Sequence, residues 1–259
     1  RSTLFPYTTL FRSIAFSIYS KIPVPQFEWK EEDMEYMMCF FPWIGGVIGL
    51  FFFGWAVLCE KFAVGNVCYA LIGAAIPLMI SGGFHVDGYM DTMDAFHSYQ
   101  SREKKLEILK DSHIGAFAAI MLALYYMIDI AAISEIHTQK AVSALAAVFF
   151  LARCFSGIAV MTLQPAKKEG LLYTFASSAQ KVRVKAALYF QAALCVVLML
   201  LVSGWYGAAA IGAALLSFFY FKKKSYKELG GITGDTAGFF VTVCEAAAAA
   251  AVAVAGYFL

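Results

Sequence analysis

Residues 64–96 read VGNVCYALIGAAIPLMISGGFHVDGYMDTMDAF, an apolar run that leads directly into Asp87, Asp91 and Asp94. The apolar part, 64–83, has the length of about 20 residues that a helix needs to cross a bilayer. Charged residues make up only 15% of the chain and hydrophobic residues 61%, whereas in soluble domains about a quarter of the residues are charged. The stretch therefore predicts a membrane helix that ends in a cluster of carboxylates at one membrane surface.

Apolar runs of similar length recur along the chain and predict six or seven transmembrane helices. Only Gly204 separates the fifth run from the sixth, so these two form either a tight helical hairpin or one bent element. The runs do not alternate as the strands of a membrane barrel do. We therefore predict an all-α polytopic membrane protein whose spans are 38–58, 64–83, 114–133, 141–161, 186–203, 205–221 and 236–258.

Lysine and arginine gather in three connections between these spans, 84–113, 162–185 and 222–235. With seven spans, all three connections lie on the same side of the membrane as the N-terminus. Because positive loops favour the cytoplasmic side, we predict that the N-terminus and the active site face the cytoplasm of a prokaryotic cell. The C-terminus then lies outside the plasma membrane.

Several functional classes receive no support from the composition. The six cysteines form no CxxC pair, so they indicate packing residues rather than a zinc or disulfide framework. Net charge is +2, and no nucleic-acid-binding module is recognisable. The basic connections suit an anionic headgroup or an anionic substrate, and the sequence is compatible with a monomer or an oligomer in the lipid bilayer.

The first 13 residues, RSTLFPYTTLFRS, are interpreted as an adapter-derived artefact, because PYTTLFRS back-translates to a common sequencing adapter. Residues 14–259 are then a single integral-membrane domain. Their opening segment, IAFSIYSKIPVP, is short and holds two prolines, so it predicts an interfacial segment rather than a span.

The three aspartates are spaced i, i+4 and i+7, which places them on one face if 84–97 is helical. Like charges at that distance repel one another, and a shared divalent cation removes the penalty. Carboxylates without cysteine or paired histidine favour Mg²⁺ or Mn²⁺ over Zn²⁺. The spacing therefore predicts a metal site formed by Asp87, Asp91 and Asp94, with a solvated acidic loop as the alternative.

Other polar residues near the aspartates are candidates for catalysis or substrate binding. His97 follows Asp94 by three residues and either orients a carboxylate, contacts substrate or only packs, while His85 is expected to point away from the acidic face. Lys110 and Asp111 precede the next span, so they face the headgroup layer or the mouth of an active site. Asp111 either caps the following helix or contributes to the metal site.

A glycine-rich segment, GGITGDTAGFF at 230–240, precedes the last apolar run. Backbone N–H groups at the start of a helix bind phosphate well, and glycine lets a ligand approach closely. Gly231, Thr233 and Gly234 are therefore candidate phosphate-binding residues. Asp235 is either a helix cap or a catalytic group.

Two charged residues, Arg153 and Glu245, lie deep inside predicted spans. Glu245 is ten residues past Asp235, roughly 15 Å along a helix. Charges at such depth are costly and usually pair inside the protein. We therefore predict an Arg153–Glu245 contact at the floor of a polar cavity, where both residues are candidates for substrate binding as well as for a structural pair.

The strings GGFHVDGYMDTMDAF, REKKLEILKDSHIGAF and GGITGDTAG, followed by Glu245, resemble the cobalamin synthase (adenosylcobinamide-GDP ribazoletransferase) family. The resemblance extends from about residue 14 to the C-terminus. This chain departs from the common pattern at Val86 and Ala95, where many members have glutamate and glycine. The residues that fall on the three family motifs are Asp87, Asp91 and Asp94, then Lys110, Asp111 and Gly115, then Thr233, Gly234 and Asp235.

The resemblance implies a polytopic membrane enzyme that joins adenosylcobinamide-GDP to α-ribazole or α-ribazole 5′-phosphate with release of GMP. Mg²⁺ is the implied cofactor. In the expected mechanism the three aspartates hold Mg²⁺ against the pyrophosphate, and the 230–234 loop with Lys110 binds phosphate oxygens. Asp235, or alternatively Asp111 or His97, accepts the proton of the attacking hydroxyl.

Two other classes of membrane protein remain as alternatives. One is a different Mg²⁺-dependent transferase acting on a diphosphate substrate, such as a prenyltransferase or a CDP-alcohol phosphotransferase. The CDP-alcohol pattern requires DGxxAR, whereas this chain has DGYMDT without that arginine. The other is a transporter, which commonly shows internal repeats, but the aspartate motif occurs once.

Overall fold

The computed structural model describes residues 4–24, 34, 36–167, 171–177 and 180–258. Within these ranges the chain forms eleven α-helices and a short 3₁₀ helix, Met37–Cys39. The α-helices are α1 (Leu4–Tyr19), α2 (Phe41–Lys61), α3 (Asn66–Ser81), α4 (Phe84–His97), α5 (Arg102–Ile108), α6 (Ala116–Ile133), α7 (Gln139–Thr162), α8 (Leu171–Ser177), α9 (Lys181–Ser203), α10 (Trp205–Leu229) and α11 (Gly234–Gly256).

Five helical segments in the described residues are long and apolar enough to cross a membrane. They are α2 with the preceding 3₁₀ helix, α6, α7, α9 and α11. Each coincides with a predicted span to within a few residues. The prediction of an all-α polytopic membrane protein is therefore confirmed, and the protein is an integral membrane protein.

The predicted span 64–83 differs from the others because it is broken. Helix α3 has 16 residues and is followed by α4 at an angle of 97°, so the pair forms either one bent span or a re-entrant loop. The bend occurs at Gly82 and Gly83, whose φ angles of 67° and 84° are in the left-handed region that favours glycine. Counting this pair as one span gives six candidate spans, without α10.

Helices α9 and α10 form a tight hairpin rather than one bent element. Gly204 lies between them with φ 55° and ψ −122°. A side chain on Gly207 would collide with the carbonyl group of Met199, so the chain folds back on itself within a few residues. Helix α10 continues beyond the predicted span 205–221 to Leu229, and its last two turns carry lysines, which explains why it is not among the five most apolar helices.

Helices α7 and α11 form the interior of the bundle, and α6 and α9 lie at its periphery. Most of α7 and α11 is buried, whereas only about a fifth of α6 and α9 is buried, as expected for lipid-facing helices. Gly45 and Gly49 of α2 face the backbone of α7, where a Cβ atom would overlap Phe149 and Ala146. Small residues spaced by four allow this close approach between membrane helices.

The connections divide between the two ends of the bundle. At one end the 61–66 and 133–139 connections meet, since the Tyr69 hydroxyl donates a hydrogen bond to the Ile136 carbonyl at 2.6 Å. At the other end, Lys110, Lys167 and Thr233 border one cavity. The three basic connections therefore share one face, as predicted, although Lys168 lies outside the described residues.

Helix α1 lies at the end of the bundle that holds the basic connections and packs against the start of α2. Ser13, Ile14 and Ala15 are buried there, and the Tyr19 ring contacts the Phe41 ring at 4.7 Å. The helix is 16 residues long, and its last part, residues 14–19, falls within the segment predicted to be interfacial. The interpretation of residues 1–13 as an artefact stays a prediction.

Candidate active site

A cavity of about 680 Å³ opens at the end of the bundle that carries the basic connections. Its walls come from α1, α2, α4, α7, α8 and α11 and from the loops that follow α5, α7 and α10. The polar residues on its walls include Asp87, Lys110, Lys167, Thr233 and Asp235. The cavity is within the volume range of 300–1,000 Å³ that is typical of ligand sites.

The three aspartates lie on α4, which confirms that 84–97 is helical. Asp87 is exposed at the first turn, and Asp91 is half-buried one turn later. The negative charges of Asp87, Asp94 and Asp235 all act on Asp91, so four carboxylates share one region. Such a cluster is electrostatically unfavourable unless a cation or a positively charged ligand compensates it.

Asp94 differs from the other two aspartates because it is bonded to the start of α6. Its two carboxylate oxygens accept hydrogen bonds from the Gly115 N–H at 2.7 Å and from the Ala118 N–H at 2.9 Å. A side chain at position 115 would collide with this carboxylate, which gives Gly115 a structural role. Asp94 therefore caps α6 from a neighbouring helix, and its role as a metal ligand stays a prediction.

Two glycines bring the α4 aspartates close to the start of α11. A Cβ atom on Gly88 would lie 2.8 Å from the Asp235 carbonyl oxygen, and one on Gly238 would lie 3.2 Å from the His85 carbonyl oxygen. The first distance is shorter than real Cβ atoms show, and the second is tighter than most real Cβ contacts. The two helices therefore cross with their backbones in contact, and Asp87 and Asp235 border the same cavity as a result.

The start of α11 combines a rigid cap with one open position. The Thr233 hydroxyl accepts a hydrogen bond from the Thr236 N–H, and the Thr236 hydroxyl accepts one from the Thr233 N–H, which forms a capping box. Gly234 is exposed at the first helical position, and a Cβ there would meet no atom within 4 Å. Its N–H is one of the helix-terminal donors that have no partner within the helix.

The space beside Gly231, by contrast, is filled by a neighbouring segment of the chain. The 231–232 backbone runs beside residues 164–166, with the Ile232 N–H bonded to the Gln164 carbonyl and the Ala166 N–H bonded to the Ile232 carbonyl. A Cβ on Gly231 would overlap this neighbouring backbone. The structure thus gives Gly231 a reason to be glycine that is independent of any substrate.

Two lysines line the same cavity as Asp87 and Asp235. Lys110 was predicted to be near the site, whereas Lys167 was not singled out beyond its presence in a basic connection. The Lys167 ammonium donates a hydrogen bond to the Leu106 carbonyl at 2.9 Å, and its charge acts on Asp235. The only sequence signal for Lys167 was its position just after the α7 span.

The predicted contact between Arg153 and Glu245 is present. A guanidinium nitrogen of Arg153 lies 2.7 Å from the Glu245 carboxylate, and both side chains are almost fully buried. The same nitrogen donates to the Phe149 carbonyl. Neither residue lines the cavity, but Ser156, one turn further along α7, does. The pair therefore lies beneath the cavity and supports it.

His97 and Asp111 lie away from the cavity walls. The His97 ring is 2.8 Å from the Met93 carbonyl and stacks on the Phe117 ring at 5.3 Å. Asp111 is exposed and bonds to the amide and ring of His113, and these bonds hold the pKa of Asp111 below its usual value. Catalytic roles for these two residues stay predictions without a supporting contact.

Aromatic residues on the cavity were not anticipated from the sequence. Tyr19, Phe41, Phe84 and His85 all border it, although His85 was expected to point away from the acidic face. His85 reaches the cavity because α1 and α2 wrap around the start of α4 on that side. Contacts between such distant segments leave no local pattern in the sequence.

The carboxylates fit a hard divalent cation in chemical type but do not form a closed cage. In the residues that the structure describes, no three His, Cys, Asp or Glu side chains converge as a complete metal site. Mg²⁺ does not require such a cage, because it commonly binds through one or two carboxylates and completes its shell with water and substrate phosphates. Asp87 borders the cavity, whereas Asp91 and Asp94 lie further along α4 and are not among its lining residues. Asp87 and Asp91, one turn apart, suit Mg²⁺ that arrives with a phosphorylated ligand.

Comparisons with known proteins agree over almost the whole chain. Residues 12–253 match the sequence profile described as cobalamin-5-phosphate synthase. An adenosylcobinamide-GDP ribazoletransferase of Lachnoclostridium phytofermentans is 44% identical over 242 residues, covering 93% of this chain and 92% of that protein. Proteins of the same name from Clostridium botulinum strains Eklund 17B and Alaska E43 are 34% and 31% identical over 236 residues, covering 90% of this chain and 92% of each relative. No solved structure matches the chain.

Proposed function

The chain belongs to the cobalamin-5-phosphate synthase family, and we propose that the cavity at the end of α4 and α11 is the active site of its reaction. The enzyme is an adenosylcobinamide-GDP ribazoletransferase that acts in the assembly of cobalamin. Its substrates are adenosylcobinamide-GDP and α-ribazole or α-ribazole 5′-phosphate. The products are GMP and adenosylcobalamin or its 5′-phosphate.

One observation carries the assignment of the reaction to this cavity. Carboxylates from two distant segments, Asp87 and Asp235, border it together with Lys110, Lys167 and the exposed start of α11. Positive charge, N–H donors and a divalent cation stabilise a bound pyrophosphate. The lysines and the start of α11 supply the first two, and the carboxylates are suited to hold the cation. The second cavity at the opposite end has no comparable combination among its described residues.

The reaction forms one bond and breaks one bond at phosphorus. A ribose hydroxyl of α-ribazole attacks the phosphorus that is attached to the cobinamide, and the bond from that phosphorus to the bridging oxygen of the pyrophosphate breaks. GMP leaves with the bonding electrons, and the hydroxyl proton passes to a base. Most of the acceleration in such a displacement comes from alignment and from stabilisation of phosphate charge.

Lys110, Lys167 and the Gly234 N–H are the groups proposed to bind phosphate oxygens. The lysines reach the cavity from two separate connections, so they can contact the pyrophosphate from different sides. Gly234 presents its backbone without a side chain at the positive end of the α11 dipole. Thr233 acts indirectly, because its side chain caps the helix and thereby fixes the position of Gly234.

Asp87 and Asp91 are the residues proposed to hold Mg²⁺, with Asp94 as a further ligand. When bound, Mg²⁺ supplies positive charge that offsets the negative charge of the pyrophosphate. The carboxylate cluster supports this proposal, since Asp91 is half-buried among three other negative groups. Asp94 is the weakest candidate of the three because both of its oxygens already accept backbone hydrogen bonds.

Asp235 is the proposed base. It borders the cavity, whereas His97 and Asp111 do not. Its carboxylate is fixed at the first turn of α11, where the Thr233 hydroxyl lies 3.4 Å away. A hydroxyl nucleophile has a pKa far above 7, so a base within hydrogen-bonding distance is needed to accept its proton.

The assignment is tested with the full-length protein purified in mild detergent. GMP release and cobalamin formation are measured by mass spectrometry with both substrates and excess Mg²⁺. We expect Asp91→Asn to lower turnover at least a hundredfold and Glu60→Gln, an exposed acid at the opposite end of the bundle, to leave it unchanged. Near-normal turnover of Asp91→Asn would remove the metal-binding role of Asp91.

The active site is proposed to face the cytoplasm. The described basic residues of the 98–115, 163–167 and 222–233 segments lie at the same end of the bundle as the cavity, and positive loops favour the cytoplasmic side. The C-terminus follows the last helix at the opposite end of the bundle. A reporter that works only outside the plasma membrane is therefore expected to be active when fused after the C-terminus, and one that works only in the cytoplasm is expected to be inactive there. Reporter activity in the cytoplasm would reverse the orientation.

A further inference from the structure

Four rings form a continuous cluster on one wall of the cavity. The His85 ring lies nearly parallel to Tyr19, with 6.2 Å between the centroids and 9° between the planes. Phe41 and Phe84 contact the same imidazole at 5.6 and 5.7 Å. All four residues border the cavity. We refer to Tyr19, Phe41, Phe84 and His85 as the aromatic cluster.

The imidazole of His85 is the unusual member of this cluster. Its residue is only 5% exposed, and neither ring nitrogen has a hydrogen-bond partner in the described part of the chain. Buried polar atoms nearly always have a partner, because an unpaired donor or acceptor is costly. The ring borders the cavity, but each nitrogen exposes under 1 Å² of surface, so a bound ligand becomes the missing partner once a neighbouring ring of the cluster turns aside.

The surroundings of His85 limit the kind of ligand that fits. Aromatic rings favour a flat, apolar ring system that can pack edge-on or in parallel against them. The imidazole has at least one N–H donor in either protonation state. The ligand therefore combines a flat apolar surface with a single hydrogen-bond acceptor near its edge.

Among the chemical groups of the two substrates, the base of α-ribazole fits this description. It is a benzimidazole, two fused apolar rings in which one nitrogen carries the ribose and the other is a free acceptor. Guanine is a poorer match, because it carries two donor groups and two acceptors, N7 and O6, which a single histidine among apolar rings cannot satisfy. The corrinoid is too large to be enclosed by a cavity of about 680 Å³, whereas a nucleoside is of a size that such a cavity holds.

We propose that the aromatic cluster binds the benzimidazole ring of α-ribazole, with His85 donating a hydrogen bond to its free ring nitrogen. The inference rests on the proposed function, since it assigns a substrate to part of the same cavity. His85 and Asp87 are two residues apart on α4, and Asp87 shares the cavity with Asp235. Because His85 and Asp87 line one cavity, a riboside whose base lies at His85 has its ribose in the same cavity as the groups proposed to bind phosphate.

The test compares α-ribazole with an α-ribosyl indole, in which the free ring nitrogen is replaced by C–H. Binding of each compound to the full-length protein in detergent is measured by calorimetry without adenosylcobinamide-GDP. We expect wild-type protein to bind α-ribazole roughly tenfold more tightly than the indole, the difference typical of one buried hydrogen bond. We expect His85→Phe, which keeps the ring but removes the donor, to bind both compounds equally.

Two further variants separate hydrogen bonding from general damage. His137→Phe replaces an exposed histidine at the opposite end of the bundle and is expected to keep the wild-type discrimination. His85→Gln retains an N–H donor and is expected to keep part of it, and it takes the place of His85→Phe if that variant does not fold. Equal binding of the two compounds by wild type, or unchanged discrimination in His85→Phe, would overturn the proposal.

Turnover measurements distinguish a failure of this inference from a failure of the proposed function. If wild-type protein releases GMP from the two substrates but does not discriminate between the ribosides, only the role of the aromatic cluster is wrong. If wild-type protein releases no GMP, the proposed function itself is wrong. A rise in the KM for adenosylcobinamide-GDP alone in His85→Phe would assign the cluster to the other substrate and overturn the proposal.

Discussion

Replacing Asp94 and Asp91 by asparagine separates a structural carboxylate from a functional one on the same helix. The Asp94 carboxylate accepts two hydrogen bonds, at 2.7 and 2.9 Å, from the first amides of α6. A hydrogen bond to a charged group contributes about 1.5–3 kcal/mol. In Asp94→Asn one oxygen becomes an NH₂ group, which places a donor against a backbone donor.

We therefore expect Asp94→Asn to lower the free energy of unfolding by about 2–3 kcal/mol, since one bond is lost and a buried amide is left without a partner. Asp91→Asn is expected to be neutral or to stabilise the protein by up to about 1 kcal/mol when no metal is present. It removes one negative charge from a cluster of four and breaks no hydrogen bond of this kind.

The assay is unfolding of each purified variant by a denaturing detergent, in EDTA, alongside turnover with saturating Mg²⁺ and both substrates. The expected pattern is reciprocal: Asp94→Asn loses stability and keeps part of its turnover, whereas Asp91→Asn keeps its stability and loses turnover. If Asp94→Asn proved as stable as wild type and inactive at saturating Mg²⁺, capping of α6 would not be its main role. Asp94 would then belong with the metal ligands.

Three other predictions follow from the geometry. Mg²⁺ at 100 times its dissociation constant is expected to stabilise wild type by about 2.7 kcal/mol and Asp91→Asn by less than half of that, as measured by unfolding with and without EDTA. Gly88→Ala is expected to lower the free energy of unfolding by about 1–3 kcal/mol and to lower turnover, because the added methyl group forces α4 away from α11. Gly54→Ala, where a Cβ meets no neighbour, is expected to change neither quantity. Equal effects of the two variants would contradict the close crossing of α4 and α11. Arg153→Met is expected to lower the free energy of unfolding by about 3–5 kcal/mol, because it leaves the buried Glu245 carboxylate unpaired. The double variant Arg153→Met/Glu245→Leu is expected to recover most of that loss. A double variant as unstable as Arg153→Met would count against the pair.

Sequence periodicity was sufficient for properties that a single helix determines. The face shared by Asp87, Asp91 and Asp94 follows from a spacing of four and three residues, and the structure has the expected helix. The pairing of Arg153 with Glu245 was also predictable, because two opposite charges at similar depth in a membrane have few other partners. In both cases one dominant physical constraint leaves a single solution.

Contacts between distant helices were not predictable in the same way. Nothing near Asp94 in the sequence indicates that the first amides of α6 bind its carboxylate. The helical spacing of His85 indicates only that it points away from the aspartates, and it does not indicate that α1 and α2 pack around its ring. The 97° bend at Gly82 and Gly83 likewise depends on two left-handed backbone angles that glycine permits but does not require. Spacing determines which residues share a face, and packing determines what that face meets.

The glycines of this chain therefore have different functions, although the sequence presents them alike. Gly88 and Gly238 allow α4 and α11 to touch, which brings the carboxylates of two helices to one cavity, and Gly231 fits against a neighbouring backbone. Gly234 alone among these has open space where a side chain would be. A phosphate-binding role that the glycine-rich segment suggested as a whole is thus best assigned to the one position where the backbone meets the cavity instead of other protein atoms.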